Sequence, residues 1–254
     1  MSRWIIKGLK TGVVTTRYPR HTEDAPGVSP GLPRAMRPGE DAGDTLGYDC
    51  PTGALRHVDG RLVVERGRCV HCFRCVRNVA KPAPWEDGFE WTAIRDDGSR
   101  VPGAFQHSIY ICVIDAGGCG ACINEIKHLN NPYYNIHRLG FFITPTPRKA
   151  DLLLVVGPVT DHMKVALQKT YDAMPTPKRV MAIGACAISG GVFGSGFVTG
   201  AGIADVLPVD VTIPGCPPPP LAILHGLLVL AGRKDAAQAL APSLKSTKKT
   251  AEAG

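Results

Sequence analysis

Eight of the nine cysteines in this 254-residue chain fall into two sets of four. Cys50, Cys69, Cys72 and Cys75 lie within one short stretch, whereas Cys119, Cys122, Cys186 and Cys216 are spread over nearly half the chain. Cysteine thiolates are the standard ligands of iron–sulfur clusters, four to a cluster. Each quartet therefore has the make-up of a [4Fe–4S] ligand set, and two such sets imply a path for electrons. The count of nine is odd, and Met1-Ser2-Arg3-Trp4-Ile5-Ile6-Lys7 does not read as a secretory signal, so a disulfide framework is not expected. The C-x2-C spacing also suits zinc, but the triple Cys69-x2-Cys72-x2-Cys75 with a separate Cys50-Pro51-Thr52-Gly53 is more specific for a cubane.

The elements that must position these residues differ for the two sets. Residues 1–46 read as a basic, amphipathic start followed by a linker rich in Pro, Gly, Asp and Glu. Residues 47–95 form a compact block, in which Asp59-Gly60 between two β-prone runs is a hairpin signal and the cysteine triple leads into a short helix-like stretch. From about 107 the pattern alternates. Buried strands are expected over 109–114, 152–156 and 179–183, and helices over 121–129, 160–173 and 221–231. Continuous apolar runs separated by helices indicate a parallel sheet covered on both faces. Cys119, Cys122 and Cys186 then fall just past strand ends, where open α/β sheets bind their ligands. Cys216 sits in the rigid turn Pro214-Gly215-Cys216-Pro217. Residues 233–254 read as a polar, disordered tail.

The first block resembles the second half of a two-cluster ferredoxin. In such proteins a C-x2-C-x2-C-x3-C-P run supplies three ligands to one cluster, and its fourth cysteine serves the other. The ligands of the missing cluster would fall at positions held here by Glu40, Gly43, Leu46 and Val79. A second resemblance covers about 107–232. Gly118-Cys119-Gly120-Ala121-Cys122-Ile123-Asn124-Glu125, Ala150-Asp151-Leu152-Leu153-Leu154-Val155-Val156-Gly157-Pro158-Val159-Thr160, Gly184-Ala185-Cys186-Ala187 and Pro214-Gly215-Cys216-Pro217-Pro218 occur in family order. They are similar to the cluster-bearing small subunit shared by complex I (its 20 kDa, B-type subunit) and the membrane-bound, group 4 [NiFe] hydrogenases. The resemblance implies a flavodoxin-like α/β domain preceded by a small α+β ferredoxin-like domain. It also implies that Cys119, Cys122, Cys186 and Cys216 hold a [4Fe–4S] cluster. Complex I subunits place their first two ligands as adjacent cysteines; the Cys119-x-x-Cys122 form is typical of the hydrogenase branch.

The expected function is an electron-transfer subunit of a multi-subunit oxidoreductase, relaying electrons through two [4Fe–4S] clusters to or from a partner's active site. A group 4-type [NiFe] hydrogenase is favoured. A complex I-like quinone reductase is the alternative, and a stand-alone ferredoxin-like carrier or redox sensor the second. Implied partners are a large catalytic subunit ([NiFe] hydrogenase large subunit or complex I 49 kDa-like) and further electron-transfer and membrane subunits. The expected location is cytoplasmic, peripheral on the inner face of the membrane. No Ser/His/Asp or paired-carboxylate arrangement is recognisable, so no complete active site is expected in this chain. Glu125 is a candidate proton relay, His71 a candidate for tuning the first cluster by hydrogen bonding, and Cys112 a small buried hydrophobe. The net charge of +7 could serve nucleic acid. Aromatics are few and not interleaved with the basic residues, so no nucleic-acid partner is expected. Gly194-Ser195-Gly196 lacks dinucleotide-loop spacing.

Overall fold

The computed structural model describes residues 3–23, 29–35, 50–58, 61–77, 82–95, 103 and 106–239. The N-terminal third holds helix α1 (Arg3–Thr11) and the strands β1 (Leu32–Pro33), β2 (Leu55–Val58), β3 (Arg61–Val64), β4 (Trp85–Glu86) and β5 (Ala93–Ile94). The rest runs β6 (Ile109–Asp115), α2 (Ala121–His128), β7 (Phe141–Ile143), β8 (Leu152–Val156), α3 (Asp161–Asp172) and β9 (Arg179–Ile183). It continues with α4 (Gly184–Ser189), β10 (Val211–Ile213), α5 (Pro220–Leu230) and β11 (Gln238–Ala239).

The main sheet has the order β11-β5-β10-β9-β8-β6-β7. Its five strands from β10 to the edge strand β7 are parallel, with Ile111 opposite Leu152, Leu154 opposite Met181, and Val211 opposite Met181 on the far side of β9. Numbered within this parallel core, they lie in the order 2-1-3-4-5, the winding of flavodoxin-type sheets. Both faces are covered, which is why the strands read as unbroken apolar runs. Leu152, Leu154 and Val156 face α2 and α5, while Leu153, Val155 and Cys112 face α3 and α4. Every residue of α5 is buried, so this helix is apolar on all sides and fills one layer of the core. Its eleven residues are too few to cross a bilayer, and no helix among the described residues is long and apolar enough to do so.

Strands β6, β8 and β9 and helices α2, α3 and α5 match the sequence expectation to within one or two residues. Strands β7 and β10 were not legible, because three residues give no usable pattern. The helix expected after Cys75 is a turn as far as residue 77, and 78–81 lie outside the described residues. Strands β2 and β3 pair antiparallel as the hairpin signal required; its turn, Asp59-Gly60, lies outside the described residues. The tail departs from expectation at its start. Gln238–Ala239 adds a parallel strand to β5 and so covers backbone groups that an edge strand would leave open. Residues 240–254, and most of the linker at 24–28 and 36–49, lie outside the described residues.

Segment 82–95 ties the N-terminal block to the sheet. β4 pairs with β1, and β5 runs antiparallel to β10. A second tie is polar. Tyr18, fully buried, donates a hydrogen bond to Glu90 Oε1 at 2.8 Å and accepts one from His225 Nδ1, also at 2.8 Å, on buried helix α5. Burial first, with Lys234 adding and Glu90 opposing, pushes the His225 pKa down to about 4. Burial followed by Glu90 raises that of Tyr18.

Candidate metal centres

Cys119 and Cys122 follow β6, the strand beside the point where the parallel order reverses. The turn between is held by Asp115, whose Oδ1 accepts the backbone N–H groups of Gly117 at 3.0 Å and Gly118 at 2.6 Å. Cys122 lies in the first turn of α2 and Cys186 in the short helix α4 that follows β9. Cys216 follows β10, so all four cysteines stand at the C-terminal ends of parallel strands. The sequence showed this for only three of them. Gly184 and Gly191 leave room for the sulfurs. A Cβ on Gly184, at φ +86°, would come within 2.7 Å of Cys122 Sγ, and one on Gly191, at φ +60°, within 2.7 Å of Cys186 Sγ.

The four thiols sense one another. Burial, then Cys216, Cys186, Cys119 and Glu125, pushes the Cys122 pKa up to about 12. Burial and Cys119 raise that of Cys186; burial, Cys186 and Cys119 raise that of Cys216. Gathered thiols of which Cys122, Cys186 and Cys216 resist ionisation suit a cationic metal centre, which inverts this balance by drawing off the protons. Four cysteines are the standard donor set of an iron–sulfur cluster, although among the described residues no three His, Cys, Asp or Glu side chains are drawn together as ligands of one metal ion. No disulfide forms among the described cysteines.

The first quartet lies against the β2–β3 hairpin. Cys50, Cys69, Cys72 and Cys75 line one cavity together with Leu55, Phe73 and Trp85. Cys50 is set apart by its turn. Burial disfavours its ionisation, but the backbone N–H groups of Leu55, Thr52 and Ala54 together with the Thr52 hydroxyl outweigh burial and lower its pKa. The Ala54 N–H lies 3.2 Å from the sulfur. Cys69 moves the other way, pushed up to about 11 by burial and by Cys75, Cys50 and Cys72, against a backbone N–H at His71. Burial, then Cys72, raises Cys75. A thiol eased towards ionisation at Cys50 beside two that resist it, Cys69 and Cys75, again fits a cationic cluster.

The two quartets are neighbours. The 3-10 turn Arg66–Arg68 rests on α4, the helix that carries Cys186. Gly67 stands so close that a Cβ there would meet Ile188 Cγ2 at 2.7 Å, and Ser189 Oγ donates to the Gly67 carbonyl at 3.3 Å. Arg66 clamps the block from within, stacking over Trp91 at 4.6 Å and pairing with Glu86 at 2.6 Å. His71 does not serve its own quartet. Its Nδ1 accepts the backbone N–H of Cys216 at 3.4 Å. Between block and sheet lies a cleft of about 810 Å³, with His71 and Phe73 on one wall, Glu125, His128, Tyr133 and Tyr134 on the other, and Cys216 with Pro217 at its base. Glu125 thus lies at this cleft and near Cys122. Apart from His128, the last residue of α2, the aromatic and imidazole groups facing it sit in irregular chain, where no pattern marks them. Cys112 is buried in the core and away from both sets.

A parallel α/β sheet with thiols gathered at its strand ends offers a seat for a redox cluster. The family model described as NADH ubiquinone oxidoreductase, 20 Kd subunit, matches residues 119–230. A probable membrane-bound hydrogenase subunit, mbhJ, of Pyrococcus furiosus is 42% identical over 122 residues, 48% of this chain and 73% of that protein. The B-type subunit of NADH-quinone oxidoreductase from Clostridium beijerinckii is 45% identical over 114 residues, 44% of this chain and 68% of that protein. Formate hydrogenlyase subunit 7 of Escherichia coli is 39% identical over 127 residues, half of each chain. The chain belongs to the NADH ubiquinone oxidoreductase 20 Kd subunit family, whose members are subunits of oxidoreductase complexes.

Proposed function

We propose that this chain relays electrons through two [4Fe–4S] clusters to or from the active site of a large partner subunit of the [NiFe] hydrogenase kind. Cys119, Cys122, Cys186 and Cys216 would hold the cluster nearer that active site. Cys50, Cys69, Cys72 and Cys75 would hold the outer one, in a ferredoxin-like domain spanning 47–95 ahead of the α/β domain at 107–232. Such clusters supply one-electron oxidation and reduction. The observation that carries this reading is the contact between the segments that bear the two thiol quartets, His71 against Cys216 and Gly67 against Ser189.

The chain's own residues provide the rest. The strand-end turns hold the sulfurs, with Cys122, Cys186 and Cys216 half-buried and Cys119 exposed at the surface. The loop after α4 offers a docking face, with Phe197 95%, Val192 67% and Phe193 62% exposed beside Cys186. Exposed apolar side chains grouped next to a cofactor site suit a partner subunit better than a free carrier. Attachment to a membrane would then come through partners, on its inner face.

Anaerobic iron analysis tests the proposal. The intact chain is expected to bind about eight irons, and Cys122→Ser about four, with loss of one of two spectroscopically distinct cluster signals. A wild-type value near four would sink the two-cluster reading. The spacing of Cys119 and Cys122 favours the hydrogenase branch, whereas the identity to a B-type subunit of NADH-quinone oxidoreductase keeps a quinone-reducing partner as the second reading. The co-purified large subunit decides between them, since two CxxC pairs there indicate nickel and their absence indicates the quinone branch.

A further inference from the structure

His71 belongs by sequence to the first quartet, but its side chain is committed to the second. The loop that carries it is twisted into an unusual shape, with His71 at φ +52° and Phe73 at φ +59°. Non-glycine residues adopt this left-handed region rarely and hold it only where their surroundings enforce it. Phe73 is held from both sides, against Trp85 at 5.3 Å and beneath Arg77 at 5.0 Å. The twist turns the imidazole into the base of the cleft, where Nδ1 meets the Cys216 N–H. With Nδ1 accepting, the neutral ring carries its proton on Nε2, which is buried without a well-formed hydrogen bond, and the backbone of Gly31 also bears on the ring.

The arrangement is costly for stability. The hydrogen bond to Cys216 is long, and two residues sit in a disfavoured backbone region. What the arrangement does provide is continuity. From Cys72 the path runs through one peptide unit to the His71 ring, across one hydrogen bond to the Cys216 nitrogen, and on to the Cys216 sulfur. It joins residues 145 positions apart in sequence.

We propose that His71 is the bridge that couples the two quartets, carrying the electronic connection between the clusters. This rests on the two-cluster reading above. In the step it serves, one electron leaves one cluster, which is oxidised, and reaches the other, which is reduced. No bond is made or broken and no proton moves.

The test uses the full chain in its isolated complex, loaded with iron, and three substitutions. His71→Asn keeps an acceptor and tolerates the left-handed backbone. His71→Gly tolerates the backbone but has no acceptor, and His71→Phe keeps a ring without one. A sub-stoichiometric pulse from a photoreduced one-electron donor is followed by paramagnetic resonance or absorbance, reading redistribution of the electron between the two cluster signals. The expected result is a fast redistribution phase in wild type and His71→Asn, lost in His71→Gly and His71→Phe although both signals and the iron content remain. Retention of the fast phase in both latter variants overturns the bridge. So does loss of the second cluster from both, which would make the role of His71 purely structural. A wild-type chain holding only about four irons removes the two-cluster reading itself, an outcome distinct from either.

Discussion

The hydrogen atoms of Gly184 and Gly191 stand where a methyl group would press on Cys122 and Cys186. Gly184→Ala tests how tightly the second quartet is built. It adds carbon within 2.7 Å of a ligand sulfur and forces a side chain onto a φ of +86°. The expected destabilisation is about 1–3 kcal/mol from the backbone alone, with loss of the second cluster's signal and retention of the first. Thermal unfolding and iron analysis read the two effects separately. A variant with full iron and unchanged melting would show that the sulfur has room to move. Glu125 belongs to the same scale. It lies at the cleft beside Cys122, where a carboxylate could take part in proton exchange with a partner, and it also raises the energy of the ionised thiol.

Among the elements, the loop from α4 to the following 3-10 turn stands out, because it exposes apolar side chains while the helix before it carries a ligand. Phe197 and Phe193 contribute little to this chain's own core, so Phe193→Ser with Phe197→Ser is expected to leave folding and iron content unchanged. The same double variant is expected to lose the co-purifying large subunit. Retention of that subunit at wild-type yield would place the docking face elsewhere. Helix α1 also has an unpartnered apolar face. Trp4 and Leu9 are exposed among Arg3, Lys7 and Lys10, and none of its residues is buried.

At the scale of the whole molecule, the N-terminal segment is fastened to the core through a buried titratable chain, Tyr18 to His225 and Glu90. The folded-state pKa of His225, about 4, lies below its ordinary 6.5. Between those values the unfolded chain binds more protons than the folded one, so stability rises with pH across this window. The contribution is complete above about 6.5 and is lost as pH falls towards 4. Melting temperature measured from pH 7 to pH 4 is therefore expected to fall more steeply in wild type than in His225→Leu, which cannot titrate. Parallel curves would remove His225 as the source. Lys234, 3.5 Å from Glu90, closes the same cluster at the surface.

Spacing and hydropathy along the chain were enough to mark the two cysteine sets, the parallel strands and the helices between them. Those features are local: cysteine spacing is read along the chain, and a strand buried on both faces shows as an unbroken apolar run such as Leu152–Val156. The family was legible too, because four separate motifs stand in order. What is non-local came from the packing of the chain. Strand β10 was hidden by its length of three residues, so Cys216 gained its place at a strand end only when β9 supplied the pairing. The cleft, the seating of Gly67 on Ile188, and the contact of His71 with Cys216 join segments more than a hundred residues apart. His71 shows the limit most clearly. Its position between Cys69 and Cys72 pointed to its own cluster, and the left-handed turn of the loop, set by packing around Phe73, directs it to the other.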